Sequence, residues 1–165
     1  DRLGEAWTET GLDIVRARPF NHTAVGRRDD FVESRLARQL AAIELGQQEP
    51  VVHALNVRAV RDFLTVDDVV EAYLALLEPA VERGAYNIAS GRGVSVLQVW
   101  EMLLAHASVE PELVWQQADQ DETDRSVGDA TRLAKATGWS PRGDLDATLG
   151  AIQAFWRERL AERSA

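Results

Sequence analysis

Two spacings of apolar residues alternate along this chain, and together they predict an α/β fold. Leu12-Asp13-Ile14-Val15 is a short run rich in β-forming residues. It continues through Arg16, Ala17 and Arg18 to Pro19, whose missing N–H ends regular pairing, so the spacing predicts a strand that stops near Arg18. Before it, residues 1–10 carry Leu3 and Trp7 on one helical face, with Gly11 as a left-handed stop. From Phe31 to Leu45 the apolar positions Leu36, Leu40 and Ile43 recur at helical spacing, and Gly46 closes the segment. Residues 51–54 and 60–63 read as short strands flanking Leu55-Asn56-Val57-Arg58. Thr65 then caps a helix that runs through Leu77, with Asp68 in its first turn. Residues 86–89 form a further strand, and Ser95 with Gln98 three residues on makes a capping box for a helix reaching Ala107. Leu113-Val114-Trp115 is a last strand. Leu145 to Leu160 is a final helix whose face carries Leu149, Ile152, Phe155 and Trp156.

The stretch with most chemistry lies between the first strand and the first long helix. It is polar, Asn21-His22-Thr23 followed by Gly26-Arg27-Arg28-Asp29-Asp30, and in open α/β sheets ligands sit just beyond the carboxyl ends of strands. Charge sharpens this expectation. The chain of 165 residues has a net charge of −9, yet residues 12–62 hold eight arginines against seven acids. An acidic protein with its cations gathered near one loop suits a small anionic ligand and is a poor partner for a nucleic-acid backbone. Seventeen of the eighteen basic residues are arginine, the side chain that grips two oxygens of a phosphate at once. There is no cysteine, which excludes disulfides and thiolate metal sites, and no long apolar run to span a membrane. His22, His53 and His106 lie far apart without metal-ligand spacing. The acidic stretch from Glu110 to Asp124 lacks the glycine and spacing of a calcium loop and reads as a solvated loop around the strand at 113–115. Gly91-Arg92-Gly93 lacks the third small residue of a dinucleotide fingerprint, since Val96 stands there, and reads as a turn. Arg61 and Asp62 are neighbours in a strand, so their side chains point to opposite faces.

Several blocks in order, RARPFNH, FV at the helix start, AVRDFLTVDDVVEAYLALL, YNIASG and GDATRLAKATGWSP, resemble the C-terminal part of extended short-chain dehydrogenases acting on nucleotide sugars. The nearest likeness is to reductases of GDP-4-keto-6-deoxymannose, then to GDP-mannose 4,6-dehydratases and other epimerases and dehydratases of this NAD-dependent family. The resemblance implies the last strands of a Rossmann-like sheet interleaved with a mixed α/β substrate-binding subdomain, in a single piece spanning residues 1–165. It also implies a nicotinamide cofactor, NAD or NADP, which supplies the hydride chemistry while the protein positions it. By the same resemblance Asn21, Phe31, Val32, Arg35 and Arg61 contact a nucleotide sugar, with Arg61 on its diphosphate, and Pro19, His22 and Arg27 approach the cofactor. A cytoplasmic, homo-oligomeric enzyme without nucleic-acid or membrane partners is expected of the complete protein.

The family's catalytic Tyr-x-x-x-Lys pair is missing. Lys135 is the only lysine, and Tyr73 and Tyr86 are followed four residues later by Leu77 and Ser90. The family's glycine-rich phosphate loop is missing too, so the expectation is a fragment without catalytic residues, whose cofactor-binding N-terminal half lies upstream of a chain that begins inside a helix without methionine. The alternative from another class is a truncated, non-catalytic homologue that binds a nucleotide or a partner. Two departures from the family stand out. Thr23-Ala24-Val25-Gly26 replaces a loop with more glycine and a proline. Asp119 and Gln120 stand where the resemblance expects a second diphosphate arginine followed by proline, which leaves Arg125 as the substitute cation.

Overall fold

The computed structural model describes residues 4–6, 10–116 and 124–163. The chain forms two compact units, one from Asp1–His22, Asp62–Arg92 and Val127–Gly143, the other from Thr23–Arg61, Gly93–Ser126 and Asp144–Ala165. Chain order therefore passes from one unit to the other repeatedly. The first predicted helix is described only at residues 4–6, which are helical.

In the first unit, β1 (Val15–Pro19) pairs in parallel with β5 (Gly84–Ile88), in a register that sets Val15 opposite Gly84 and Pro19 opposite Ile88. The strand starts and ends later than the pattern predicts. Leu12 is exposed and residues 12–14 lie outside the strand, with the Ile14 carbonyl reached by Gly84 N–H at 3.3 Å, whereas the alternation of Arg16, Ala17 and Arg18 continues the ladder to Pro19. Proline is tolerated there because it closes the strand, and the next donor, Phe20 N–H, bonds to the Ile88 carbonyl at 2.9 Å. Helix α2 (Val66–Leu76) packs on β1, and α4 (Thr131–Thr137) packs on β5. Leu64, Val69, Ala72, Leu76, Tyr86, Ile88, Leu133 and Trp139 form the core.

Local chemistry explains why these helices start and stop where they do. Thr65 and Asp68 make the reciprocal capping box of α2. Asp68 reaches further and accepts the backbone N–H groups of Arg142 and Gly143, while the Trp139 indole donates to its carbonyl. A Cβ on Gly143 would collide with Thr65 and Asp68, so only glycine permits this close approach. Helix α4 ends at Gly138, whose φ of 74° is the left-handed stop that glycine adopts without strain.

The second unit is built on three helices, α1 (Val32–Glu44), α3 (Val96–Ala105) and α5 (Leu145–Glu162), packed on one another. Leu36, Leu40, Val99, Leu103, Leu149 and Ile152 are fully or almost fully buried at that packing. β3 (Val51–Leu55) lies against α1 and pairs in parallel with β7 (Glu112–Gln116). β8 (Arg125–Ser126) pairs in parallel with the start of β4 (Val60–Thr65). Two further short strands are β2 (Asn21–Thr23) and β6 (Gly93–Ser95). The α/β class, the capping boxes at Thr65 and Ser95 and the two longest helices agree with the pattern of the sequence. Among the described residues no helix is long and apolar enough to cross a membrane.

Candidate functional site

The candidate residues fall on both units and are taken unit by unit. In the first, Pro19 closes β1 and Asn21 and His22 begin β2, with Asn21 exposed and His22 half-buried. The His22 Nδ1–H donates to the Phe20 carbonyl at 3.0 Å, which turns the ring across the bend between the two strands.

Beside them stands Asp62, fully buried and without a cationic partner among the described residues. Its carboxylate accepts four hydrogen bonds, from Ser90 N–H (2.8 Å), Ser90 Oγ (2.6 Å), Gly91 N–H (2.9 Å) and Gly128 N–H (3.1 Å). Such a set replaces the water that burial removes from a carboxylate. It also fixes the Gly91 turn, which is a structural role for the segment that superficially looks like a dinucleotide loop.

In the second unit Phe31 is the N-cap of α1, with no side-chain cap bond, and Val32 is its first residue. The Arg27 guanidinium lies over the Phe31 ring at 3.5 Å and pairs with Glu33 at 3.2 Å. Its carbonyl accepts from Ser34 Oγ at 2.7 Å. These ties anchor the arginine-bearing loop to the first turn of α1. Arg38, not Arg35, makes the ion pair back to this loop, with Asp29 at 3.0 Å. Arg35 instead lines a hollow of about 470 Å³ with Arg38, Gln39, Gln48, Glu49 and His53. One wall of that hollow is rigid, because the Gln39 side chain accepts from His53 N–H and donates to its carbonyl, as another strand would.

Arg61 is partly exposed and is held at its guanidinium end. Nη1 donates to the Val60 carbonyl (3.0 Å) and the Asp124 carbonyl (2.9 Å), and Nη2 donates to the Asp124 carboxylate at 2.8 Å. Asp124 also accepts from Asn56 Nδ2 at 3.0 Å. The hydrogen bond from Arg61, and next its charge, keep the Asp124 carboxyl below the usual carboxylate range. The acidic stretch is therefore not solvated throughout, as its composition suggests: its last member is the fixed counter-ion of Arg61. Arg61 and Asp62 have separate partners, Asp124 for the one and Ser90, Gly91 and Gly128 for the other. Asp119 and Gln120 lie outside the described residues, and Arg125 is exposed on β8.

The partners that sequence reasoning missed are Asn56 and Asp124. A signal existed for Asn56, since asparagine between two short strands is one of the few residues that accepts positive φ, and here φ is 45°. None existed for Asp124, which is one acid among several.

This α/β chain has recognisable relatives. The chain belongs to the GDP-mannose 4,6 dehydratase family, whose model matches residues 3–151. Among curated relatives, GDP-6-deoxy-D-mannose reductase of Pseudomonas aeruginosa is 36% identical over 154 residues, covering 92% of this chain and 51% of that protein. GDP-L-fucose synthase 1 of Arabidopsis thaliana is 27% identical over 93% of this chain and 48% of its own length. The chain thus spans about half the length of these relatives. Among solved structures, RMD of P. aeruginosa in complex with NADPH superposes with a TM-score of 0.88 at 36% identity, over 96% of this chain and 53% of that one. UDP-glucose 4-epimerase of Thermotoga maritima, solved with UDP-glucose, superposes with a TM-score of 0.80 at 25% identity, over 96% of this chain and 50% of that one.

Proposed function

We propose that this chain is the C-terminal, nucleotide-sugar-binding half of an NAD(P)-dependent reductase of GDP-4-keto-6-deoxymannose. The observation that carries this reading is the 36% identity with GDP-6-deoxy-D-mannose reductase across 92% of the chain. In this reading Asn21, Phe31, Val32, Arg35 and Arg61 contact the nucleotide sugar, and Pro19, His22 and Arg27 approach the cofactor. Arg61 supplies a permanent positive charge to the diphosphate. Arg35, in a hollow beside Gln39 and His53, contacts the nucleotide sugar. A nicotinamide supplies hydride when bound, and the proton for the reduced carbonyl comes from the family's Tyr-x-x-x-Lys pair, which this chain lacks. The chain tested alone with NADPH and a 4-keto nucleotide sugar therefore oxidises no NADPH, and steady turnover would overturn the division of labour.

Two measurements test the positive side. Joined to the N-terminal half of the P. aeruginosa reductase, the chain should restore NADPH oxidation with GDP-4-keto-6-deoxymannose; a chimera that folds and binds NADPH without turning over that sugar would point to a dehydratase or epimerase of the same family. In that chimera Arg61→Ala should weaken nucleotide-sugar binding by about one to two orders of magnitude, as loss of a charge-assisted contact of roughly 1.5–3 kcal/mol requires. Arg61→Lys should recover only part of the loss, because an ammonium cannot make the forked contact. Unchanged affinity in a folded Arg61→Ala protein, measured by calorimetry, would remove the diphosphate assignment.

A further inference from the structure

The hydrogen bonds of Arg61 divide its guanidinium into a used side and an unused one. Both Nη1 hydrogens are committed, to the carbonyls of Val60 and Asp124, and Nη2 is committed to the Asp124 carboxylate. The Nε–H has no hydrogen-bond partner among the described residues. Nη2 lies against both carboxylate oxygens, 2.8 Å from Oδ2 and 2.7 Å from Oδ1, so the Nε–H on the side edge of the guanidinium is the donor left for a phosphate oxygen. An arginine held by its end therefore presents its side in one orientation, and little rotamer freedom is left to lose when an anion arrives.

Asp124 can hold it because it is itself held. Its carbonyl accepts from Val60 N–H at 2.9 Å, next to the pairing of β8 with β4. Its carboxylate accepts from Asn56 Nδ2. Asn56 in turn is locked in its left-handed turn, donating its N–H to Gln116 and accepting from Ala59 N–H, both at 3.0 Å. It is the single non-glycine residue with positive φ among those described, which is the kind of local strain that persists where the surroundings over-determine it.

We propose that Asp124, seated by Asn56, is a positioning residue that aims the Nε side of Arg61 at the diphosphate of the ligand. The inference rests on the reading of Arg61 given above. Two opposed effects follow from a carboxylate in this place: it orients the guanidinium, and its charge repels phosphate. They separate in two variants. Asp124→Asn keeps an oxygen for Arg61 and removes the charge, whereas Asp124→Ala removes both.

The ligand used is GDP, titrated by calorimetry into the chimera with wild-type and variant residues. Asp124→Ala should weaken GDP binding about tenfold, Asp124→Asn should stay within about threefold of the wild type, and Arg61→Ala should be weakened further, with Asp124→Ala adding nothing on that background. Equal or tighter binding in Asp124→Ala, while Arg61→Ala still loses affinity, would overturn the positioning role and leave the diphosphate role of Arg61 standing. No loss in Arg61→Ala would overturn both. A readout independent of ligand is the nitrogen-15 spectrum of the chain itself: Arg61 should show slowed guanidinium rotation that Asp124→Ala abolishes and Asp124→Asn retains, and free rotation in the wild type would also overturn the proposal.

Discussion

At the scale of single residues, the carboxylates of Asp62 and Asp124 do opposite work. Asp124 is partly exposed and serves a cation. Asp62 is buried, has no cation among the described residues, and is satisfied by four hydrogen bonds from groups far away in sequence. Removing Asp62 leaves those donors facing a void, and each unsatisfied buried donor costs a large part of its desolvation energy. Asp62→Ala should therefore cost about 3 kcal/mol of unfolding free energy in urea denaturation. A loss below about 1 kcal/mol would show that water replaces the carboxylate without penalty.

Between elements, the clearest joint is Glu44 at the end of α1. Its carboxylate accepts from Arg157 Nε at 2.6 Å and Nη2 at 2.9 Å, from Ser108 N–H at 2.7 Å and from Gln153 at 3.2 Å, so it ties α1 to α5 and to the segment after α3. Burial alone would raise this carboxyl, but the bonds from Arg157, Ser108 and Gln153 outweigh it and bring its pKa from 4.5 down to about 2. A carboxyl depressed in the folded state stabilises the fold fully above its unfolded pKa, and that stabilisation fades as pH falls through the folded value. The contribution, on the order of 2–3 kcal/mol, should be present at pH 6 and lost between about pH 4.5 and pH 2. Glu44→Gln should flatten that part of the stability profile measured by chemical denaturation; an unchanged acid limb would mean the joint is not coupled to folding.

At the scale of the whole molecule, α2 is apolar on the face turned away from its core. Val66, Val70, Tyr73, Leu74 and Leu77 recur at helical spacing and are exposed, Leu74 to 61% and Leu77 to 77%. Contiguous apolar surface of this kind drives self-association in water. Concentrated solutions of the chain should scatter light progressively, and Leu74→Lys with Leu77→Lys should suppress the scattering without lowering the melting temperature, since neither side chain belongs to the core. Equal scattering in the double variant would place the sticky surface elsewhere.

Local chemistry was legible in the residues themselves wherever it acts over three or four positions. The cap at Thr65, the capping box of Ser95 and the apolar faces of α1 and α5 follow from spacing, because a helix satisfies its backbone within itself. That Arg61 and Asp62 have separate partners follows from the two-residue period of a strand. Resemblance of ordered blocks carried the family and the list of candidate residues. Tertiary structure alone decided the rest. The length of β1 depended on β5, some 70 residues away, which pairs as far as Pro19 and leaves Leu12 to solvent. Arg38 pairs with Asp29 of the loop, a contact set by the turn of α1 on its axis and so by what the helix packs against. The counter-ion of Arg61 and the donors of Asp62 lie 63 and 66 positions along the chain at their farthest. No pattern in the sequence marks such pairs, because an ion pair or a buried carboxylate needs only proximity and direction, and folding supplies both.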